Sequence, residues 1–318
     1  MHIFISERRI IYERKKNIIK NAKEKISKET IKLVDENGNG KIDLEDFVVK
    51  ALRIPGVHVN RSEYLSNAFK KYCDAQTIEK AIATTPAKAG ISRSIADKAA
   101  NDSISLQKTL ATATSIGLGA TPGGVTVDLT TTVADLGQFY GHLLVIMQKL
   151  MYIYGYPELD LTKDEGGIDD GTMNLIIISI GTMAGVEVAG KFLNKMAEML
   201  AMSVPKKLLK GVLAEKVAFQ VSKEVLNYFG IRLTRDLATK GLGNGIKFFG
   251  GVIVGGITLI TFNTSCSNFQ KEISDTPLSN PNYVDKSNVF EAKYTTVEEV
   301  ENEFENSIQI TDESNILN

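Results

Sequence analysis

The feature that most constrains the fold is a long run of apolar residues at helical spacing between residues 127 and 154. Its apolar side chains recur every three or four positions, which places them on one face of an α-helix. They are Val133, Leu136, Tyr140, Leu143, Met147, Leu150, Met151 and Tyr154. A helix of this length must bury its apolar face against other elements. Helical spacing also recurs in residues 62–72 and 92–110, while Pro86 is expected to end or restart a helix. A bundle of helices is therefore predicted.

The charge of the chain is nearly balanced but unevenly distributed. The 318 residues contain 37 Lys or Arg and 38 Asp or Glu. Residues 1–34 hold ten basic and four acidic residues, whereas residues 271–318 hold eleven acidic and three basic ones. The overall balance argues against a nucleic-acid-binding protein. The acidic segment has no sustained apolar period, so a disordered tail is predicted there.

The strongest chemical motif is DENGNGKIDLED at residues 35–46. An EF-hand loop needs oxygen ligands at positions 1, 3, 5, 7, 9 and 12, with glycine at position 6 for a sharp turn. Gly40 occupies position 6, and apolar residues flank the loop on both sides. The segment resembles the EF-hand family over about residues 20–52. The predicted ligands are the side chains of Asp35, Asn37, Asn39, Asp43 and Asp46 and the carbonyl of Lys41.

The last ligand position departs from the usual pattern. EF-hands carry a bidentate Glu at position 12, and Asp46 is one methylene shorter. The shorter side chain and the small number of charged ligands predict weak Ca²⁺ binding, with a dissociation constant on the order of 10⁻⁵ to 10⁻³ M, or a preference for Mg²⁺. The alternative is a turn without metal that joins two helices.

Other candidate sites have weaker support. His142 could act as a general base with Asp135 and Tyr140, but no known catalytic motif accompanies these residues, so no enzymatic activity is predicted. The Gly-rich residues 115–128 lack the order of a phosphate loop, which argues against a nucleotide site. The two cysteines are far apart, which excludes a disulfide framework and a thiolate zinc site.

The middle of the chain resembles the EcsC-like family of bacterial helical proteins over about residues 30–270. The resemblance rests on a Gly/Pro turn before the long helix, a D–x–x–Q/Y pattern within it and a Tyr-Gly dipeptide at its end. These features are Pro122, Gly123, Gly124, Asp135, Gln138, Tyr140 and Tyr154-Gly155. TPAKAGIS and the Gly-rich segment after VPKKLLKG are similar to an uncharacterised branch with an N-terminal EF-hand loop. The resemblance implies a helical body and an association with bacterial secretion and transport, without a reaction.

Two apolar stretches bear on membrane contact. Residues 173–188 are expected to form a buried helix. Residues 248–269 are uncharged and Gly-rich, and they predict either a core helix, which we favour, or a segment inserted into a membrane. No signal peptide is visible, so the expected location is the cytoplasm, with membrane association as the alternative.

Together these patterns predict a mainly α fold with three parts. Residues 1–56 are expected to form a basic helix and a single EF-hand, residues 57–270 an EcsC-like helical domain, and residues 271–318 an acidic disordered tail. The predicted function is non-enzymatic binding of Ca²⁺ or Mg²⁺, acting through an unidentified protein partner or a membrane surface. The alternative is an integral or peripheral membrane protein that inserts residues 248–269.

Overall fold

The computed structural model describes residues 35–36, 38, 40, 43–119, 129–161, 168–201, 212–228 and 257–282. Within these ranges the chain forms helices and no strands, which confirms the predicted mainly α class. The helices are α1 (Leu44–Leu52), α2 (Arg61–Phe69), α3 (Ala75–Ala83), α4 (Arg93–Gly119), α5 (Leu129–Ile153), α6 (Asp170–Met183), α7 (Glu187–Ala201), α8 (Val212–Tyr228) and α9 (Ile257–Ser274). A 3₁₀ turn, Pro277–Ser279, follows α9.

The early helices begin and end at polar side chains. Asn60 and Asp74 cap the N-termini of α2 and α3, each accepting a backbone N–H in the first turn. The buried guanidinium of Arg61 donates to the carbonyl oxygens of Ile82 at 2.7 Å and Thr84 at 3.1 Å. These carbonyls would otherwise lack partners at the end of α3, so Arg61 closes that helix where Pro86 prevents its continuation.

The long predicted helix is α5, and it lies at the centre of the fold. It packs against α4 on one side and α1 on another, and it also contacts α2, α6 and α9. Tyr140, Leu143, Met147 and Leu150, all predicted to be apolar-face residues, have no solvent exposure. The segment predicted as one buried helix over residues 173–188 is instead two helices, α6 and α7, with Gly185 between them at φ +80°.

Close helix contact depends on one glycine of α6. A Cβ atom built on Gly181 would lie 2.2 Å from Cγ1 of Val221 in α8. Since a carbon cannot approach another carbon so closely, only glycine permits the observed distance between α6 and α8.

The core is continuous across the boundaries predicted from sequence. Buried residues of α1 belong to the same hydrophobic cluster as those of the helices after residue 57. At the other end, α9 runs on to Ser274, and the following turn buries Leu278, although both lie in the segment predicted as a disordered tail. Residues 1–34 and 283–318, which include the helix predicted before the loop and most of the tail, lie outside the described residues.

Candidate functional site

The described part of the loop 35–46 is closed by a hydrogen bond between its first and sixth positions. The backbone N–H of Gly40 donates to Oδ2 of Asp35 at 2.8 Å. Gly40 has a φ of +76° and Gly38 a φ of +73°, values that glycine adopts without strain. The turn predicted at Gly40 is therefore present, and it directs a backbone donor to the carboxylate that opens the loop.

The carboxylate of Asp46 holds the two ends of the loop together. Its side chain has no solvent exposure. Oδ1 accepts the N–H of Glu36 at 2.8 Å, and Oδ2 accepts the N–H of Asp43 at 2.9 Å. Asp43 in turn accepts the N–H of Asp46 at the start of α1, so the two residues form a capping box. A single buried side chain thus joins the second, ninth and twelfth positions of the loop.

The loop is also tied to the far end of α1. The carboxylate of Glu36 accepts from Lys50 at 3.1 Å and from Arg53, which lie at the end of α1 and just beyond it. Glu36 occupies the second loop position, which supplies no ligand in the EF-hand pattern, so it is not among the predicted ligands. The opposite charges of Glu36 and of the two basic residues that follow the motif are the sequence feature that indicates this ion pair.

Helix α1 is fixed to the body by apolar and polar contacts. The ring of Phe47 stacks on Tyr140 of α5 with 5.5 Å between centroids. The N–H of Leu44 donates to the hydroxyl of Ser222 in α8 at 3.2 Å. A change in the loop is thereby connected to α1, α5 and α8. Nothing in the sequence around Ser222 indicates this contact, because it depends on the tertiary packing of α8 against the start of α1.

The described residues fit a cation site only in part. The hydrogen bonds of Asp35, Asp43 and Asp46 hold the loop in a closed shape, and an oxygen that accepts one N–H retains a second lone pair. Within the described ranges, however, no three His, Cys, Asp or Glu side chains lie close enough together to hold a metal ion. The predicted ligands Asn37, Asn39 and Lys41 lie outside those ranges. Cation binding at this loop therefore stays a prediction.

The residues considered for catalysis point in different directions. Tyr140 stacks on Phe47 of α1, whereas Nδ1 of His142 lies 2.8 Å from the amide nitrogen of Gln107 in α4. Burial raises the pKa of Tyr140, so its hydroxyl is a poor proton donor. The side chain of Asp135 lies outside the described residues. Tyr140 thus packs toward α1 and His142 toward α4, and a catalytic role for these residues is not tested.

His142 instead belongs to a polar network between helices, which the sequence did not predict. The ammonium group of Lys149 donates to Oε1 of Gln107 at 3.3 Å and lies 5.8 Å from the centre of the Tyr64 ring. The hydroxyl of Tyr64 lies 2.6 Å from that of Ser103. The network joins α2, α4 and α5. Gln107 is its central member and is almost fully buried.

The apolar segment 248–269 is described only from Ile257, where α9 begins. Phe262, Cys266 and Phe269 of this helix have no solvent exposure and belong to the core cluster. Every helix in the described parts of the chain is too short or too polar to cross a lipid bilayer. Residues 248–256 lie outside the described ranges, and insertion of the segment 248–269 into a membrane stays a prediction.

Comparison with known proteins adds no relative. No protein-family model, no curated protein and no solved structure matches the chain.

Proposed function

We propose that the protein is a non-enzymatic, divalent-cation-binding helical protein in which the loop 35–46 controls how α1 docks on the body. The ion would be Ca²⁺, bound weakly, or Mg²⁺. The observation that carries the proposal is the pair of hydrogen bonds that close the loop, from Gly40 to Asp35 and from Glu36 to Asp46. They support it because they fix the carboxylates at the first and last ligand positions.

Electrostatics favours a cation at this loop. Asp35, Asp43 and Asp46 place three acidic residues within the twelve positions of the loop. A divalent cation bound to these carboxylates would attract each of them electrostatically and so stabilise the closed loop. Because the loop leads directly into α1, the same ion would strengthen the contact of α1 with α5 and α8.

The resemblance to the EcsC-like family bears on what the docked helix does. We infer a role in protein or membrane contact, since the resemblance implies no reaction for this chain to catalyse. In this proposal the ion regulates a contact surface and does not take part in a reaction.

Isothermal titration calorimetry with Ca²⁺ and Mg²⁺ tests the proposal. Asp35→Asn removes one charge and one ligand oxygen but keeps an acceptor for the Gly40 N–H. Glu45→Gln is the matched control, because it removes the same charge from position 11, which contributes no ligand. We expect the wild type and Glu45→Gln to bind, and Asp35→Asn to bind at least tenfold more weakly. No heat from the wild type at millimolar ion, or equal weakening by both substitutions, would refute a site in this loop.

A further inference from the structure

The orientation of the Gln107 side chain is fixed by Lys149. An ammonium group can donate hydrogen bonds but cannot accept them. The oxygen of the Gln107 amide must therefore face Lys149, as the 3.3 Å distance between Nζ and Oε1 shows. The amide NH₂ is then directed to Nδ1 of His142, 2.8 Å away.

This orientation fixes the protonation state of His142. An NH₂ group donates, so Nδ1 of the imidazole has to accept and must carry no proton. The neutral ring then holds its proton on Nε2. If a second proton were added at Nδ1, two donors would face each other at 2.8 Å. Rotation of the amide by half a turn would relieve that conflict only by creating the same conflict at Lys149.

We propose that Gln107, His142 and Lys149 form a proton-sensitive latch between α4 and α5, which is closed when His142 is neutral and opens when the imidazole takes up a proton. No arrangement of the single amide satisfies both an imidazolium and an ammonium ion. Protonation therefore breaks one of the two hydrogen bonds, and the almost fully buried Gln107 is left without its partner.

The surroundings of His142 oppose the extra proton. Lys149, seven residues further along α5, is the positive group that faces it from its own helix. The neighbouring helix α4 contributes the neutral amide of Gln107, and Lys149 itself lies 5.8 Å from the ring centre of Tyr64 in α2. Burial lowers the pKa of His142 below its usual 6.5, and the charge of Lys149 lowers it further. Protonation is thus coupled to loss of the contact and not to a new ion pair with these groups.

The latch acts on the packing of three helices. Ser103 donates to the carbonyl of Ala99 at 2.9 Å, so the hydroxyl of Tyr64 donates to Ser103. Lys149 lies over the ring of the same tyrosine. When Gln107 loses its partner, the contact of α4 with α5 is weakened first, and α2 is affected through Tyr64.

The sign of the pH dependence follows from the lowered pKa. The unfolded chain takes up a proton on His142 at the ordinary pKa near 6.5, before the folded chain does. The contribution of the latch to stability is therefore complete above that pH. It is lost as the pH falls from the unfolded pKa toward the lower folded value.

Nuclear magnetic resonance of the three histidines tests the proposal on the full chain. The imidazole signals are followed from about pH 5 to pH 8, and His142→Asn identifies the signal of His142. We expect His142 to titrate below 6.5 in the wild type. In Gln107→Glu, a carboxylate accepts from both the imidazolium and the ammonium, so the pKa of His142 should rise by more than one unit, a tenfold or greater change in proton affinity. His58→Gln is the control and should leave the titration of His142 unchanged.

Hydrogen exchange of the α4 amides gives a second measurement. After correction for the intrinsic rate, exchange in the wild type should be faster at about pH 5.5 than at pH 7.5. Gln107→Glu should abolish that acceleration, as should His142→Asn, which has no group that titrates in this range. Titration of His142 at or above 6.5 in the wild type, an unchanged pKa in Gln107→Glu, or acid-induced exchange that persists in His142→Asn would overturn the latch.

Discussion

Replacement of Asp46 with alanine is the most direct test of how the loop supports α1. The substitution removes a fully buried carboxylate that accepts the backbone N–H groups of Glu36 and Asp43 at 2.8 and 2.9 Å. A hydrogen bond to a charged group contributes about 1.5 to 3 kcal/mol. Two such bonds at the lower figure give about 3 kcal/mol, since part of the cost of burying the carboxylate is recovered when it is removed.

The measurement is urea unfolding followed by circular dichroism in the presence of a chelator, so that bound cations do not contribute. We expect the free energy of unfolding to fall by about 3 kcal/mol in Asp46→Ala with an unchanged m-value. Asp46→Asn keeps one acceptor oxygen, so its loss should be about half as large. A decrease below about 1 kcal/mol in Asp46→Ala would refute the reasoning, because these bonds would then not hold the loop to α1.

The same experiment with ion connects stability to binding. If the dissociation constant for Ca²⁺ is on the order of 10⁻⁴ M, a free Ca²⁺ concentration about a hundred times this constant should raise the free energy of unfolding of the wild type by about 2.7 kcal/mol. Asp46→Ala should gain much less, because it lacks the carboxylate at position 12. Equal stabilisation of both proteins would show that the cation acts elsewhere on the chain.

Two further predictions concern the packing of the helices. Gly181→Ala should lower the free energy of unfolding, measured in urea, by about 1 to 3 kcal/mol, because the added Cβ would lie 2.2 Å from a methyl group of Val221. Adding Val221→Ala should recover part of that loss. If the effects of the two substitutions are strictly additive, the contact between these residues is contradicted. In a Cys73→Ser background, Cys266 should react with iodoacetamide far more slowly in the native than in the unfolded protein. Cys266 is buried in the native protein, and burial raises the pKa of its thiol to about 12. Rapid labelling of the native protein would show that α9 is not packed against the core.

Periodicity predicted the helices well where one apolar face was present. The helix expected over residues 127–154 is found as Leu129–Ile153. The run after residue 173 is apolar on all sides, so its sequence shows no helical periodicity that could reveal an interruption. The break at Gly185 was therefore not predicted. The signal was a glycine after the apolar residues, where Gly185 donates its N–H to Thr182 and Val186 donates to Gly181, a common way to end a helix.

The polar contacts were less predictable because they depend on tertiary structure. The loop motif indicated the turn at Gly40, but the hydrogen bonds of Asp46 to the loop backbone and the tie from Glu36 to the end of α1 required the folded geometry. His142 was singled out for its chemistry alone. Its partner Gln107 lies 35 positions away on another helix, and no local pattern relates the two residues.

The contact between Arg93 and the end of α9 has a consequence for the order of folding. Arg93 donates to the carbonyl of Ser274 and to the carboxylate of Asp275, across 181 and 182 positions of the chain. A Cβ atom built on Gly155 would lie 2.6 Å from the carbonyl oxygen of Leu278. The turn after α9 therefore packs directly against the backbone of Gly155. During synthesis, therefore, the start of α4 and the end of α5 must wait for residues near 278 before their surfaces are covered. Pairings this distant slow folding, so this bundle should fold more slowly than helical proteins held together by neighbouring helices.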